Sequence, residues 1–356
     1  MHEPDDFGLS PLQALAQVAD ATPPPGFVQT WTDWAHALAT QKPTLTPLRS
    51  GEANAAGAPG VSHTFVSRGE ARVGCRLIAP KSGKPRGAVV TTHGYEVARG
   101  APIPDENPWS ERGLAVLRVR VRGFPGSQFD TGDLTAHPTG YITIGLEDRR
   151  AWVLFDAVAD VINAVRALHA HLGDGVPIAL HGESFGAGLA VMAASVLPLE
   201  AWPCVQRLAL ALPTFGWWTW RLEKRPRSGT GGLISDYIAA MPQREEEIRQ
   251  TLRLGDAVVH ARRITSAVLC KLAERDDVVP APTAAAVFNA LGSDPGRKWR
   301  FLTRYGHFDG GIADQRRHAM FERLVGKFLD PGANPASLMK AWEPVLSSGE
   351  RAPAGA

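Results

Sequence analysis

The chain has 356 residues, more than one small domain usually holds, although α/β folds of this size often form a single unit. With 44% hydrophobic and 21% charged residues it reads as an ordinary globular chain, not a disordered or fibrous one. A formal net charge of +2 gives no electrostatic reason to expect nucleic acid or an anionic membrane as a partner.

Residues 1–60, rich in proline and alanine, are expected to form an extension packed on the core. They hold amphipathic helices near Leu12–Val18 and Trp31–Leu38, and Gly51–Gly60 reads as a loop. From Val61 the pattern turns to strands. Val61–Val66 and Val73–Ala79 suit an antiparallel pair at a sheet edge. Arg86–His93 and Leu114–Val121 follow, the first apolar enough to be buried on both faces, the second with Arg118 and Arg120 exposing one face. Leu154, Val158, Val161, Val165, Leu168 and Leu172 fall on one stripe and predict a helix over Trp152–Leu172. Further strands are predicted at Val176–Leu180, Arg207–Leu212, Ala267–Leu272 and Trp299–Thr303, with helices at Ser235–Leu254, Ala281–Leu291 and Gln315–Phe328. Strand alternating with helix predicts an α/β fold, a mostly parallel central sheet with helices on both faces, over residues 61–335, followed by a tail at 336–356.

The most informative stretch is His181-Gly182-Glu183-Ser184-Phe185-Gly186, where a short apolar strand runs into a helix of small residues. This is a Gly-x-Ser-x-Gly nucleophile elbow in the context the motif requires: the glycines leave room for a tight turn that lifts the serine off the sheet. The ends of other strands supply possible partners, since functional groups of such sheets collect there. One strand runs into Asp276-Asp277 and the last into Tyr305-Gly306-His307. The order Ser, acid, His is that of α/β-hydrolases, in which serine needs a neutral imidazole to take its proton and the imidazole needs a carboxylate to orient it. Ser184 and His307 fill two roles, and spacing alone does not separate Asp276 from Asp277. Oxyanion donors are expected at the backbone N–H groups of Phe185 and of Tyr95, in the His93-Gly94-Tyr95 loop. Phe215, Trp217 and Trp218 follow another strand end and are candidates for the substrate pocket, with core packing as the alternative. Arg122 reads chiefly as an ion-pair residue holding its loop.

These residues resemble a family, the acetyl xylan esterase and cephalosporin C deacetylase group of carbohydrate esterases within the α/β-hydrolases. The resemblance runs through Pro24–Leu38, His93-Gly94-Tyr95, Arg122-Gly123-Phe124, Gly140-Tyr141-Ile142-Thr143, Asp156-Ala157-Val158 and Asp276–Pro280 with Asn289. It implies that Asp276 is the triad acid and that the substrates are small acetyl esters of sugars, xylo-oligosaccharides among them. It also implies a metal-independent serine mechanism with no cofactor, and a homo-oligomer. The family's Gly-Gly-Ser-Gln-Gly elbow is here Gly-Glu-Ser-Phe-Gly, and its Arg-Gly-Gln is Arg-Gly-Phe. Two other readings stand beside the acetyl-ester one: a hydrolase of larger acyl esters or peptides, suggested by the changed elbow and the tryptophan cluster, and, from a different class, a non-catalytic carbohydrate- or partner-binding relative.

Cys75, Cys204 and Cys270 are scattered, without Cys-x-x-Cys spacing, so no disulfide framework or zinc site is expected. With no secretory pattern and no apolar run long enough to span a bilayer, the cytoplasm is the expected location.

Overall fold

A computed structural model describes residues 5–347 except 6, 50, 53–55, 98–99, 201, 204 and 227. Its centre is a nine-stranded sheet of order β1-β2-β3-β5-β4-β6-β7-β8-β9. The strands are β1 (Thr46–Pro47), β2 (His63–Val66), β3 (Arg72–Ile78), β4 (Gly87–Thr92), β5 (Leu114–Val119), β6 (Ile178–Glu183), β7 (Val205–Ala211), β8 (Ala267–Arg275) and β9 (Lys298–Tyr305). β1, β2, β3 and β5 pair antiparallel, and all pairs from β5 to β9 are parallel. Two-residue β1 lies outside the pair expected at the edge, and its Pro47 suits a position that donates no ladder bond.

The helices are α1 (Pro11–Leu15), α2 (Phe27–Ala39), α3 (Val153–Leu172), α4 (Phe185–Val196), α5 (Trp218–Lys224), α6 (Gly229–Ala240), α7 (Glu245–Leu254), α8 (Ala257–Ala261), α9 (Ala281–Ala290), α10 (Gly311–Phe328) and α11 (Pro335–Leu346). The single helix predicted over Ser235–Leu254 is two, because Pro242 lacks the N–H that a continuous helix needs, and a 3-10 turn at Pro242–Arg244 intervenes. The helix at 335–346 lies in the segment read as a tail; it buries Met339, Trp342 and Val345 against the sheet.

Alternation along the central strands sends side chains to two cores. Ala88, Val90, Ala115, Leu117, Ile178 and Leu180 join one with α2, α3, α4, α8 and α9. Val89, Leu114, Val116 and Ala179 join the other with α10 and α11. Arg118 and Arg120, expected on an exposed face, are half-buried, and burial lowers both guanidinium pKa values from the usual range. In the N-terminal region Phe27, Trp31, Ala35 and Leu38 form the buried stripe of α2, and the Trp31 indole donates to the Leu254 carbonyl at 3.0 Å. Cys75 and Cys270 are free thiols buried in the cores, whereas Cys204 lies outside the described residues. No helix among the described residues is long and apolar enough to cross a membrane.

The loop after β5 is tied to α3 by a buried ion pair. The Arg122 guanidinium donates from Nη2 to Asp160 Oδ1 at 2.5 Å and from Nε to both carboxylate oxygens, and the Arg122 amide donates to Oδ2 at 2.9 Å. Burial opposes the Arg122 charge, and the Asp160 carboxylate outweighs it, so the guanidinium pKa is raised. Asp160→Ala leaves that charge buried without its main partner, and should lower the unfolding free energy by about 3–5 kcal/mol. Urea denaturation at neutral pH measures the loss; a change below 1 kcal/mol would contradict the assignment.

Candidate active site

Ser184 sits between the last residue of β6 and the first of α4, with φ +52° and ψ −112°. A serine pays strain at such a φ, and it is held there by tight packing of the two flanking glycines. A Cβ on Gly182 would lie 2.3 Å from the Gly186 carbonyl oxygen, and one on Gly186 would lie 2.4 Å from Thr92 Oγ1. The turn is anchored by the Ser184 amide donating to the Ala211 carbonyl at 2.7 Å. The amide of Phe185, at the first position of α4, has no acceptor in a preceding turn, the usual state of a helix N-terminus.

His307 Nδ1 is 2.7 Å from Asp276 Oδ2. The carboxylate is fully buried, and its Oδ1 accepts the amides of Val278 and Val279 at 3.0 and 3.1 Å. Gly306 allows this approach: a Cβ there would stand 1.8 Å from Asp276 Oδ2. The structure thus pairs His307 with Asp276. Asp277 instead meets the Ser228 hydroxyl, which donates to the Asp277 carbonyl at 3.0 Å. Burial alone would lower the His307 pKa; the hydrogen bond and charge of Asp276, with the charge of Glu183, outweigh it and raise the pKa above 6.5.

Ser184 and His307 open onto one cavity of about 300 Å³. Its walls include Tyr95, Phe185, Thr214, Thr230 and Val279, with Glu96 and Glu183 the carboxylates among the described lining residues. Ser184 makes no hydrogen bond to the imidazole; such contacts commonly tighten only when substrate is bound. The expected oxyanion residues Tyr95 and Phe185 both line the cavity. The loop carrying Tyr95 is fixed by His93, whose Nδ1 lies 2.7 Å from the Gly94 carbonyl and whose Nε2 accepts from the Val121 amide at 3.2 Å. Burial presses the His93 pKa down to about 3, so the ring is neutral and structural.

Phe215, Trp217 and Trp218 do not line this cavity. Phe215 and Trp218 are buried in the core, and Trp217 packs on Trp220 with ring centroids 5.9 Å apart. The cause is Asp256, a buried carboxylate that accepts the amides of Trp217 and Trp218 at 2.9 and 3.0 Å and turns the segment inward. In their place the pocket wall comes from Thr214, just before that segment, and from Gly229 and Thr230 at the start of α6. Nothing in the local sequence marks these residues. They carry no titrating group; Thr214 is placed by the loop after β7, and Gly229 and Thr230 by the packing of α6.

The two aromatic departures from the family pattern touch. Phe124 and Phe185 lie 5.4 Å apart, within a cluster that also holds Tyr95, Tyr141 and Phe215. An apolar pair at these positions packs where a lone buried amide would need a partner.

The family model described as acetyl xylan esterase (AXE1) matches residues 10–323. The chain belongs to that family. It is accordingly a carboxylic ester hydrolase acting on acetyl esters. Solved structures agree in fold. An acetyl xylan esterase from Paenibacillus sp. R4 is 23% identical, with TM-score 0.67, over 88% of this chain and 98% of that one. Acetyl xylan esterase 1 from Thermoanaerobacterium sp. JW/SL YS485 is 21% identical, with TM-score 0.68, over 87% of this chain and 98% of that one. An acylaminoacyl peptidase of Pyrococcus horikoshii superposes with TM-score 0.54 at 13% identity, over 85% of this chain and 44% of that one. A search of curated proteins found no match. The esterase therefore has an α/β-hydrolase fold, with its serine elbow at the carboxyl end of the central strand β6.

Proposed function

We propose that this esterase removes acetyl groups from sugar hydroxyls, acetylated xylo-oligosaccharides among them, through an acyl-enzyme on Ser184. In this reading His307 takes the serine proton and later returns it to the departing alcohol. Asp276 orients the imidazole and stabilises its charged form, and the amides of Tyr95 and Phe185 bind the tetrahedral oxyanion. The observation that carries it is the buried Asp276 carboxylate, 2.7 Å from His307 Nδ1, beside a cavity shared by His307 and Ser184. That bond commits Nδ1 and leaves Nε2 as the ring nitrogen available to the serine.

Cavity size supports a short acyl group. About 300 Å³ is at the lower end of the volumes typical of small-molecule sites, which leaves little room for a long acyl chain beside the alcohol. On p-nitrophenyl acetate, butyrate and octanoate, kcat/KM should fall by roughly tenfold or more from acetate to octanoate, the cost of a few methylenes that find no room. A rate that rises with chain length would transfer the triad to a larger-acyl substrate class. Cytoplasmic residence and homo-oligomeric assembly belong to the same proposal, the first supported by the buried free thiols of Cys75 and Cys270, the second by the family resemblance.

A further inference from the structure

Glu183 occupies the variable position beside the nucleophile, where its side chain is half exposed and lines the cavity. One of its oxygens, Oε1, meets Lys271 Nζ at 3.2 Å. Lys271 is itself almost completely buried, at 2% side-chain exposure. The sheet register explains the pairing: Glu183 on β6 and Lys271 on β8 are both in register with Ala211 on β7, so they share a face two strands apart. Adjacent strands are about 4.8 Å apart, so the two side chains must together cross roughly twice that, and Ala211 between them carries only a methyl group. The ammonium is held from behind by His318 Nδ1 at 3.2 Å and lies 5.2 Å from the centre of the Phe321 ring, both on α10.

A buried lysine is expensive unless its charge is compensated, so this one is strong evidence that the Glu183 carboxylate is ionised and fixed. Burial would raise the Glu183 pKa, but the charge and hydrogen bond of Lys271 outweigh it and hold the carboxyl below its usual range. The second oxygen, Oε2, has no partner among the described residues. With Glu96, an exposed residue, also on the wall and no lysine or arginine among the described lining residues, the carboxylates of Glu183 and Glu96 face the cavity, and the Lys271 ammonium lies behind Glu183, outside the lining.

We infer that Glu183, anchored by Lys271, is a specificity-determining residue that selects the alcohol part of the ester: it accepts a hydrogen bond from a donor-bearing, uncharged leaving group and rejects an anionic one. This deepens the acetyl-sugar reading and rests on it, because a sugar ring places hydroxyls next to the ester. Lys271 is the positioning residue, acting on substrate only through Glu183.

Three acetates of similar size test this: glycerol monoacetate, n-propyl acetate and 3-acetoxypropionate. At low ionic strength the anion should react with kcat/KM roughly tenfold below n-propyl acetate, the scale of one like-charge contact at a partly exposed site. Glycerol monoacetate should react several-fold above it. The anion penalty should shrink as salt is added to the wild-type enzyme, a measurement that needs no variant. Glu183→Gln should bring 3-acetoxypropionate to within roughly twofold of n-propyl acetate. Lys271→Met should raise the ratio of KM for glycerol monoacetate to KM for n-propyl acetate several-fold, and Lys271→Arg should restore the ratio. An anion penalty that is absent from the wild type, insensitive to salt, or intact in Glu183→Gln overturns the inference. Loss of Ser184-dependent turnover on all three acetates, n-propyl acetate included, would instead overturn the esterase reading beneath it.

Discussion

Ser184→Ala should lower kcat on p-nitrophenyl acetate by about 10⁴- to 10⁶-fold, the range found when a serine nucleophile that works as a unit with its base is removed. What remains should be the modest rate that oxyanion donors and binding supply without covalent catalysis. The variant is a clean one, because alanine keeps the Cβ of serine and with it the backbone strain at φ +52°. The Ser184 amide bond to Ala211 is untouched by the change. Unfolding free energy should therefore stay within about 0.5 kcal/mol of wild type. Stopped-flow measurement on the wild type should show a burst of p-nitrophenol equal to the enzyme concentration where deacylation is slow, and the variant should show none. Full activity in the variant would remove Ser184 from the chemistry.

Asp276→Asn should cost about 10⁴-fold in kcat, with the geometry of the site preserved. The Asp276 carboxylate does two things that an amide does not. Its Oδ2 accepts from His307 Nδ1–H, which places the proton on the nitrogen remote from the serine, and its charge favours the imidazolium. An amide that turns its NH₂ toward Nδ1 imposes the opposite tautomer. In the proposed triad the same carboxylate would set the pH dependence. For His307, burial lowers the pKa, and Asp276 and Glu183 together reverse the sign. Because the base must be neutral, kcat/KM of the wild type should rise with pH through an apparent pKa above 6.5 and then level. In Asp276→Asn the stabilising charge is gone, burial dominates, and His307 should titrate below the wild-type value. Imidazole proton resonances followed against pH read this directly, and an unchanged titration would dissociate Asp276 from His307.

The parts of this fold that were legible in the sequence are local. The strands were readable because β4 and β6 open on short apolar runs, Ala88-Val89-Val90 and Ile178-Ala179-Leu180. The elbow was readable because its chemistry is compressed into five residues, Gly182 to Gly186. Helix α3 was visible through a stripe that repeats every three or four residues. Even the single helix expected over Ser235–Leu254 failed at a residue in plain view, Pro242, whose breaking effect the apolar periodicity masked.

Phe215, Trp217 and Trp218 show where local reading stops. A tryptophan-rich stretch after a strand has the composition of a sugar-binding wall, and equally that of a core. The choice was made by Asp256, about forty residues further on, which gathers the tryptophan amides and pulls the segment away from the cavity. Asp276 and Asp277 are alike in sequence terms, and only the fold brings the first to His307 and the second to Ser228.

By itself, then, the sequence determined most of the central strands, the α/β alternation and the serine, acidic pair and histidine that follow β6, β8 and β9, because propensity, periodicity and turn sterics act within a few residues. Only the tertiary structure decided which acid meets the imidazole, which residues wall the cavity, and that Lys271 reaches Glu183 from 88 positions away. Those contacts are set by strand register and helix packing, in which side chains distant in sequence share one face, and no local pattern of residues encodes that meeting.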